Sequence, residues 1–480
     1  MHTRRHRQGL RFLAPTALTL LALLAATGNA AAGPLDRTGW VASASSSAAG
    51  DPPSRAIDSS RETRWSSGAA QAPGQTFELG FGNRRSFDRI LLDSGSLSFE
   101  DDHPRAYEVH VSDDGALWRG PIASGTGGGP LTHIRFPLQE ASGIRITQTG
   151  ADSFRWWSIH DLQVYGPDGG PRSGWRKVAT TGPSARAIHA GAFDARRSRA
   201  VIFGGAAGDW RNDVWAFSLA DERWRPVVTS GEGPSPRFAP AVVADPARDR
   251  VVVFFGFDGT SSSEVWALDF ETRMWSRLPS GPSPRFDASA ARDGDRVWIL
   301  GGFADFSTSL SDLWEFDLAT SQWRELPARG VVPPPRTNHA LGYHAGALYT
   351  VGGHDEDSLL RDTWRYDLAA GTWKELAPAG TLAAWAHFGY ATVVDRACGT
   401  LLMMGGDTND RFRSPFLQGL QLGGESRFVE LPGAEAALAR DHAVMVLDPS
   451  SRRLVLFGGR QGPDETLLSD TWVYELGGCP

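Results

Sequence analysis

Between Trp175 and Tyr474 one pattern recurs six times, at a spacing of about 50 residues. In five units an apolar run that reads as a strand ends in a glycine pair: Gly204-Gly205, Gly301-Gly302, Gly352-Gly353, Gly405-Gly406 and Gly458-Gly459. The sixth, Phe255-Gly256-Phe257, is degraded. A polar loop follows, then an acidic residue two positions before a Trp: Asp213/Trp215, Glu264/Trp266, Asp312/Trp314, Asp362/Trp364 and Asp470/Trp472. Repeat five departs, with Ser414 and Phe416 in those places. A second aromatic closes five of the units: Trp224, Trp275, Trp323, Trp373 and Phe428. This is the length and texture of a four-stranded propeller blade. Glycine lets the strand end bend near a crowded axis, and two aromatics per unit fill the gap between twisted sheets.

These residues resemble the kelch repeat over nearly all of positions 175–476, which implies a six-bladed β-propeller. The chain stops soon after Thr471-Trp472-Val473-Tyr474, so the last unit lacks its closing strand. Gly174-Trp175-Arg176-Lys177-Val178 supplies a spare strand at the other end. The expected closure joins the two, in a propeller over 175–480, and removes the exposed sheet edges that invite aggregation.

Residues 1–32 read as a secretory signal peptide. Arginines from Arg4 to Arg11 precede an apolar run, Ala17 to Ala26, and Ala30-Ala31-Ala32 offers a cleavage site. About ten apolar residues are too few to span a bilayer. The expectation is a secreted protein, extracellular or periplasmic, with no transmembrane segment, and a monomer. The formal charge of -7 becomes more negative once the leader is removed, and no basic block remains, which argues against nucleic acid as a partner. The only cysteines are Cys398 and Cys479. On kelch blades they fall on one face of neighbouring units, so a disulfide clasping the C-terminus is expected, in keeping with an oxidising compartment; two free thiols are the alternative.

From Thr38 to Gly166 the texture changes to short alternating strands with Gly, Ser and Pro turns, as in a β-sandwich. The segments Ala56 to Trp65, Phe77 to Gly80, Pro104 to Trp118, Ile144 to Thr147 and Trp156 to Gly166 follow one another in the order of the discoidin family. That family, which includes the coagulation factor V/VIII C-domains and the family 32 carbohydrate-binding modules, is what this region is similar to. The resemblance implies an all-β chain: a jelly-roll, galactose-binding-like sandwich over 38–166, a linker over 167–174, then the propeller.

Carried over from the discoidin family, a structural calcium ion would staple the first loop to the last strand. Its ligands would be Asp58, Ser60 and Thr63, with the carbonyl of His160 and Asp161 opposite; hard cations take such oxygen ligands. An Asp58 that only caps its own turn is the bland reading. A glycan would need an aromatic face and polar partners for its hydroxyls. Trp157 is the expected stacking residue, with Asp102, His103 and Arg155 beside it; packing against the propeller is the other fate of Trp157. On the propeller, Arg186, Arg237, Arg285, Arg336 and Arg440 open the blades, with His189, His339, His387 and His442 nearby. In kelch proteins such arginines mostly tie blades together, and the alternative places them over the channel mouth. The loop His354-Asp355-Glu356-Asp357 reads as solvated rather than metal-binding.

A discoidin module before a kelch propeller also resembles galactose oxidase. Its copper-radical site needs a Tyr–Cys crosslink and a His from a further domain. Here both cysteines are late, Tyr343-His344 is the one Tyr-His pair, and the copper site does not carry over. The expected function is glycan recognition by the discoidin module, with a second saccharide or a protein on the propeller. A metal-free sugar epimerase or mutarotase at the propeller mouth, or a structural matrix protein, are the alternatives.

Overall fold

The computed structural model describes residues 35–58, 60, 63–94, 102–127, 131–166, 175–178, 180–379, 388–407, 413–431, 438–462 and 464–479. The signal-peptide assignment, the 167–174 linker and His387 lie outside the described residues.

The first unit is a sandwich. One layer runs in the order Val41–Ala44, Thr76–Asp93, Leu131–Gln148, Tyr107–Ser112, Arg119–Gly125, and Asp161–Tyr165 also pairs with Thr76–Asp93. Trp65–Ala70 and Trp156–Ile159 make the other, two-stranded layer. Alternation along Thr76–Asp93 sends Phe77, Leu79 and Phe81 inward, where they meet Trp65 and Trp157.

The second unit is six four-stranded antiparallel sheets. The third, for example, runs Ser289–Asp293, Arg296–Leu300, Leu313–Asp317, Gln322–Glu325. The sixth is completed from the far end of the chain: Thr471–Glu475 pairs with Trp175–Val178, Tyr474 opposite Trp175. The hydrophobic cores lie between blades rather than within them. Each closing Trp packs on the preceding blade, as Trp224 does on Phe457 (4.8 Å between centroids) and Trp275 on Phe203 (5.6 Å).

The repeated residues form one device. In five of the six units the opening arginine is buried and pairs with the acidic residue before the Trp: Arg285 reaches both oxygens of Asp312 at 2.7 Å, and its Nη1 donates to the Gly301 carbonyl at 3.0 Å. Trp314 donates its indole N–H to the same carboxylate at 2.7 Å. Arg186–Asp213, Arg237–Glu264, Arg336–Asp362 and Arg440–Asp470 repeat the arrangement. The second glycine then donates its N–H to the carbonyl of the next blade's arginine, from Gly205 to Arg237 (2.9 Å) round to Gly459 and Arg186 (2.9 Å). A Cβ on Gly301 would stand 2.3 Å from the Arg336 carbonyl, so glycine is required there. In the degraded repeat Phe255 takes that position at φ +63°, a left-handed backbone costly for an aromatic residue.

Repeat five departs where the sandwich docks. Phe416 is buried with Leu91 and Tyr165 of the sandwich, and the Tyr165 hydroxyl lies 3.3 Å from Glu430. Cys398 and Cys479 form the expected disulfide. No helix among the described residues is long and apolar enough to cross a membrane.

Candidate ligand site at the propeller mouth

Two residues after each opening position, the chain turns left-handed: Ile188, Ala239, Asp287, Asn338, Gly389 and His442 have φ between +50° and +70°. Each donates its backbone N–H to the carbonyl of its counterpart on the preceding blade. The bonds run Ala239 to Ile188 (2.8 Å), Asp287 to Ala239 (3.0 Å), Asn338 to Asp287 (3.2 Å), Gly389 to Asn338 (3.0 Å), His442 to Gly389 (2.8 Å) and Ile188 to His442 (3.0 Å). The six peptides thus close a hydrogen-bonded belt around the axis. Left-handed backbone is tolerated by Gly, Asn, Asp and His, but it strains Ile188 and Ala239. Strain held in place by surrounding structure clusters at functional sites. The belt rims a channel of about 200 Å³ walled by small residues such as Ala190, Gly191 and Ser289.

Just outside the belt, the residue after each opening position bridges to the residue after each glycine pair. These pairs divide the mouth into two sectors. Blades two and three contribute Phe238/Phe257 and Phe286/Phe303, joined by Trp210 and Phe306 in a continuous aromatic shelf with centroids 4.9–5.7 Å apart. Phe306 is 65% exposed and Trp210 39%. Blades four to six contribute Thr337/His354, Phe388/Asp407 and Asp441/Arg460. Arg460 forks onto Asp441 with both contacts at 3.0 Å and lies 3.1 Å from His442 Nδ1. Buried Arg413 lies 3.3 Å from Asp407 and 3.4 Å from Asp441. Burial alone would raise the Asp441 carboxyl, but His442 and Arg460 hold it well below the usual carboxylate range. Asp287, in the belt between the sectors, goes the other way: burial raises its pKa, only partly offset by His442 and by a hydrogen bond from Asn338. A carboxyl beside a histidine and an asparagine offers hydrogen-bond partners to hydroxyls.

The arginines expected as mouth residues are therefore corrected. Arg186, Arg237, Arg285, Arg336 and Arg440 are buried and saturated by carboxylates and carbonyls, one residue too early to face the opening. His339 is buried behind the belt, where desolvation holds its pKa well below the ordinary histidine value. Of the belt and bridge residues, only His442 and His354 were singled out in the sequence; the others were missed. The signal was present in the sequence, as the two positions after each opening residue, but their variability hides it.

On the sandwich, Trp156 and Trp157 exchange the expected roles. Trp157 is fully buried edge-on against Trp65 (5.0 Å), whereas Trp156 is 38% exposed. Asp102 is buried, accepting from the Ser158 hydroxyl at 2.9 Å and lying 3.5 Å from Arg64. The His103 ring meets Arg105 at 2.8 Å, and Arg155 is exposed. Gln71, overlooked in the sequence, joins the two loops by donating to the carbonyls of His103 and Trp156, both at 2.9 Å. Exposed Phe154 shares the Trp156 loop.

The expected calcium ligands do not fit as a set. Asp58 accepts from the Ser60 amide (2.9 Å) and the Thr63 hydroxyl (2.7 Å) within one loop. Across from it, Asp161 is committed: Arg37 pairs with one oxygen at 2.6 Å and Gln163 donates to the other at 2.8 Å. His160 donates its amide to the Asp93 carbonyl. A guanidinium thus occupies the carboxylate that the cation would need. Arg37→Ala should destabilise the sandwich by about 3 kcal/mol, because it strands a buried carboxylate. Adding calcium to chelator-treated protein should leave the melting temperature unchanged; a calcium-dependent rise would restore the ion. The cluster at His354 holds no group of three metal-ligating side chains among the described residues.

Two family matches agree with this architecture. The F5/8 type C domain matches residues 41–162, and the KLHDC2/KLHL20/DRC7 Kelch-repeats domain matches residues 159–281 and 279–417. No curated protein matches the chain. The kelch match spans more than half of the 480 residues, and so the chain belongs to the kelch-repeat family, with an F5/8 type C domain preceding its propeller.

Proposed function

We propose that this is an exported carbohydrate-recognition protein, with a glycan on the Trp156 end of the sandwich and a second saccharide in the propeller mouth. The observation that carries this reading is the divided mouth. An exposed aromatic shelf suits the C–H face of a sugar ring, and the facing wall of carboxylates, Asn338, His354 and His442 suits its hydroxyls. The disulfide is in keeping with export. Calorimetric titration with oligosaccharides should resolve two classes of site. Phe306→Ala should weaken one about fivefold and Trp156→Ala the other, since each removes a stacking ring worth about 1 kcal/mol. Both side chains are exposed, so the fold survives the change. Binding that neither variant alters would sink the proposal.

One observation favours a second reading, an epimerase or mutarotase at the same mouth. Asp287 has a raised pKa and shares the belt with His442, the pairing that acid–base chemistry on a sugar uses. Following anomer exchange by NMR in the same samples decides between them: catalysis requires acceleration that Asp287→Asn abolishes, and recognition alone leaves the exchange rate of bound sugars at the solution value.

A further inference from the structure

We propose that the propeller mouth selects saccharides that carry a free amino group. This rests on the carbohydrate reading above and specifies its ligand class. The charge around the opening is unbalanced. Among the described residues, four carboxylates, Asp287, Asp407, Asp441 and Glu465, face two guanidiniums, those of Arg413 and Arg460. Both guanidiniums are spent. Arg413 contacts Asp407, Asp441 and Glu465, and it donates to the Gly462 carbonyl at 2.9 Å. Arg460 is taken by Asp441 and Glu465. Among the described residues these two guanidiniums leave an acidic sugar little cationic partner there.

Asp287 is the odd member. Its neighbours in the belt are neutral Ala239 and Asn338, and no Arg or Lys among the described residues pairs with it. His442 and His354 are the titratable rings that face it, with Arg460 behind them. It lines the channel, and the aromatic shelf begins at the adjacent residue, Phe286. Phe286 itself is buried and packs at 4.9 Å on exposed Phe306, and a carboxylate at the foot of such a shelf can hold an ammonium through an ion pair and cation–π attraction. Burial raises the Asp287 carboxyl, and His442, His354 and Arg460 offset this only in part, so an ammonium bound against it would favour its charged form. The hydroxyls would fall toward Asn338 and His354, and the sugar's apolar face toward Phe257 and Phe306.

The test uses the full chain carrying Trp156→Ala, so that the sandwich contributes nothing, titrated with three trimers: glucosamine, N-acetylglucosamine and galacturonate. The amino trimer should bind at least about tenfold more tightly than its acetylated counterpart, and the galacturonate trimer should be the weakest. Asp287→Asn should erase the preference for the amine while leaving residual binding of the neutral trimer; Phe306→Ala should weaken both. Equal affinity of the wild-type mouth for amino and acetylated trimers overturns the inference and leaves carbohydrate recognition standing. A preference that survives in Asp287→Asn overturns the role of that carboxylate. Failure of all three trimers, with a lysine-rich peptide binding instead, overturns the carbohydrate reading itself. The trimer comparison needs only the Trp156→Ala chain, whose substituted side chain is exposed.

Discussion

Arg285→Ala is expected to lower the stability of the propeller by about 3–5 kcal/mol, the cost of stranding one member of a buried ion pair. Arg285 is fully buried, and its guanidinium satisfies both oxygens of Asp312, the Gly301 carbonyl and the Ser283 hydroxyl. Truncation takes from Asp312 its charged partner, leaving it the Trp314 indole, and takes from the Gly301 carbonyl its guanidinium donor. Arg285→Lys should recover little, because an ammonium cannot reproduce the planar fork. The pH profile should carry the same signature. Burial pushes Asp213, Asp312, Asp470 and Glu264 up, yet hydrogen bonds and charge from their arginines more than offset it, so their folded pKa values lie below the ordinary ones. Groups depressed on folding contribute stability that is present above the unfolded pKa of about 4 and is lost as pH falls through the folded value. Unfolding midpoints should therefore hold near neutrality and fall below about pH 4. A loss under about 1 kcal/mol for Arg285→Ala, the value of an exposed pair, would mean that the staple does not hold the blades.

Removing the disulfide should cost roughly 4 kcal/mol, since the bond closes a long loop and removes its entropy from the unfolded chain. The cysteines are 81 residues apart and join the turn before Thr400–Met404 to the segment after Thr471–Glu475. Arg452 braces the same corner: it donates to the Gly477 carbonyl at 2.6 Å and pairs with Asp395 at 2.6 Å. The strand so anchored is the one on which Trp175–Val178 closes the ring. The double change Cys398→Ser with Cys479→Ser should thus lower the denaturant midpoint and broaden the transition, because the sixth blade can open separately. An unchanged midpoint on reduction would show that strand pairing alone closes the ring.

Much of the fold was legible because the repeat records local demands. A glycine is needed wherever the next blade's backbone passes within reach of a Cβ, as at Gly301. Arg, acid and Trp recur together because one carboxylate accepts from both donors, as Asp312 does. Repeat five lacks both Asp and Trp, and only the structure explains it: Phe416 meets Leu91 and Tyr165 of the sandwich, a contact between segments far apart in sequence that no local pattern encodes. Parity misled at Trp156 and Trp157. In a strand, neighbours point to opposite faces, so a one-residue error exchanges the buried ring for the exposed one. Asp161 misled for a different reason, since the residue that claims it, Arg37, is 124 positions away. The sequence by itself determined the blades, which follow from residue types at fixed spacing; the arginine staples and the disulfide were among its alternatives, and the structure chose between them. The mouth was decided by tertiary structure alone. Its residues are separated by whole repeats and become neighbours only when the ring closes, and side chains that look like scatter along the chain then divide into an aromatic and a polar half.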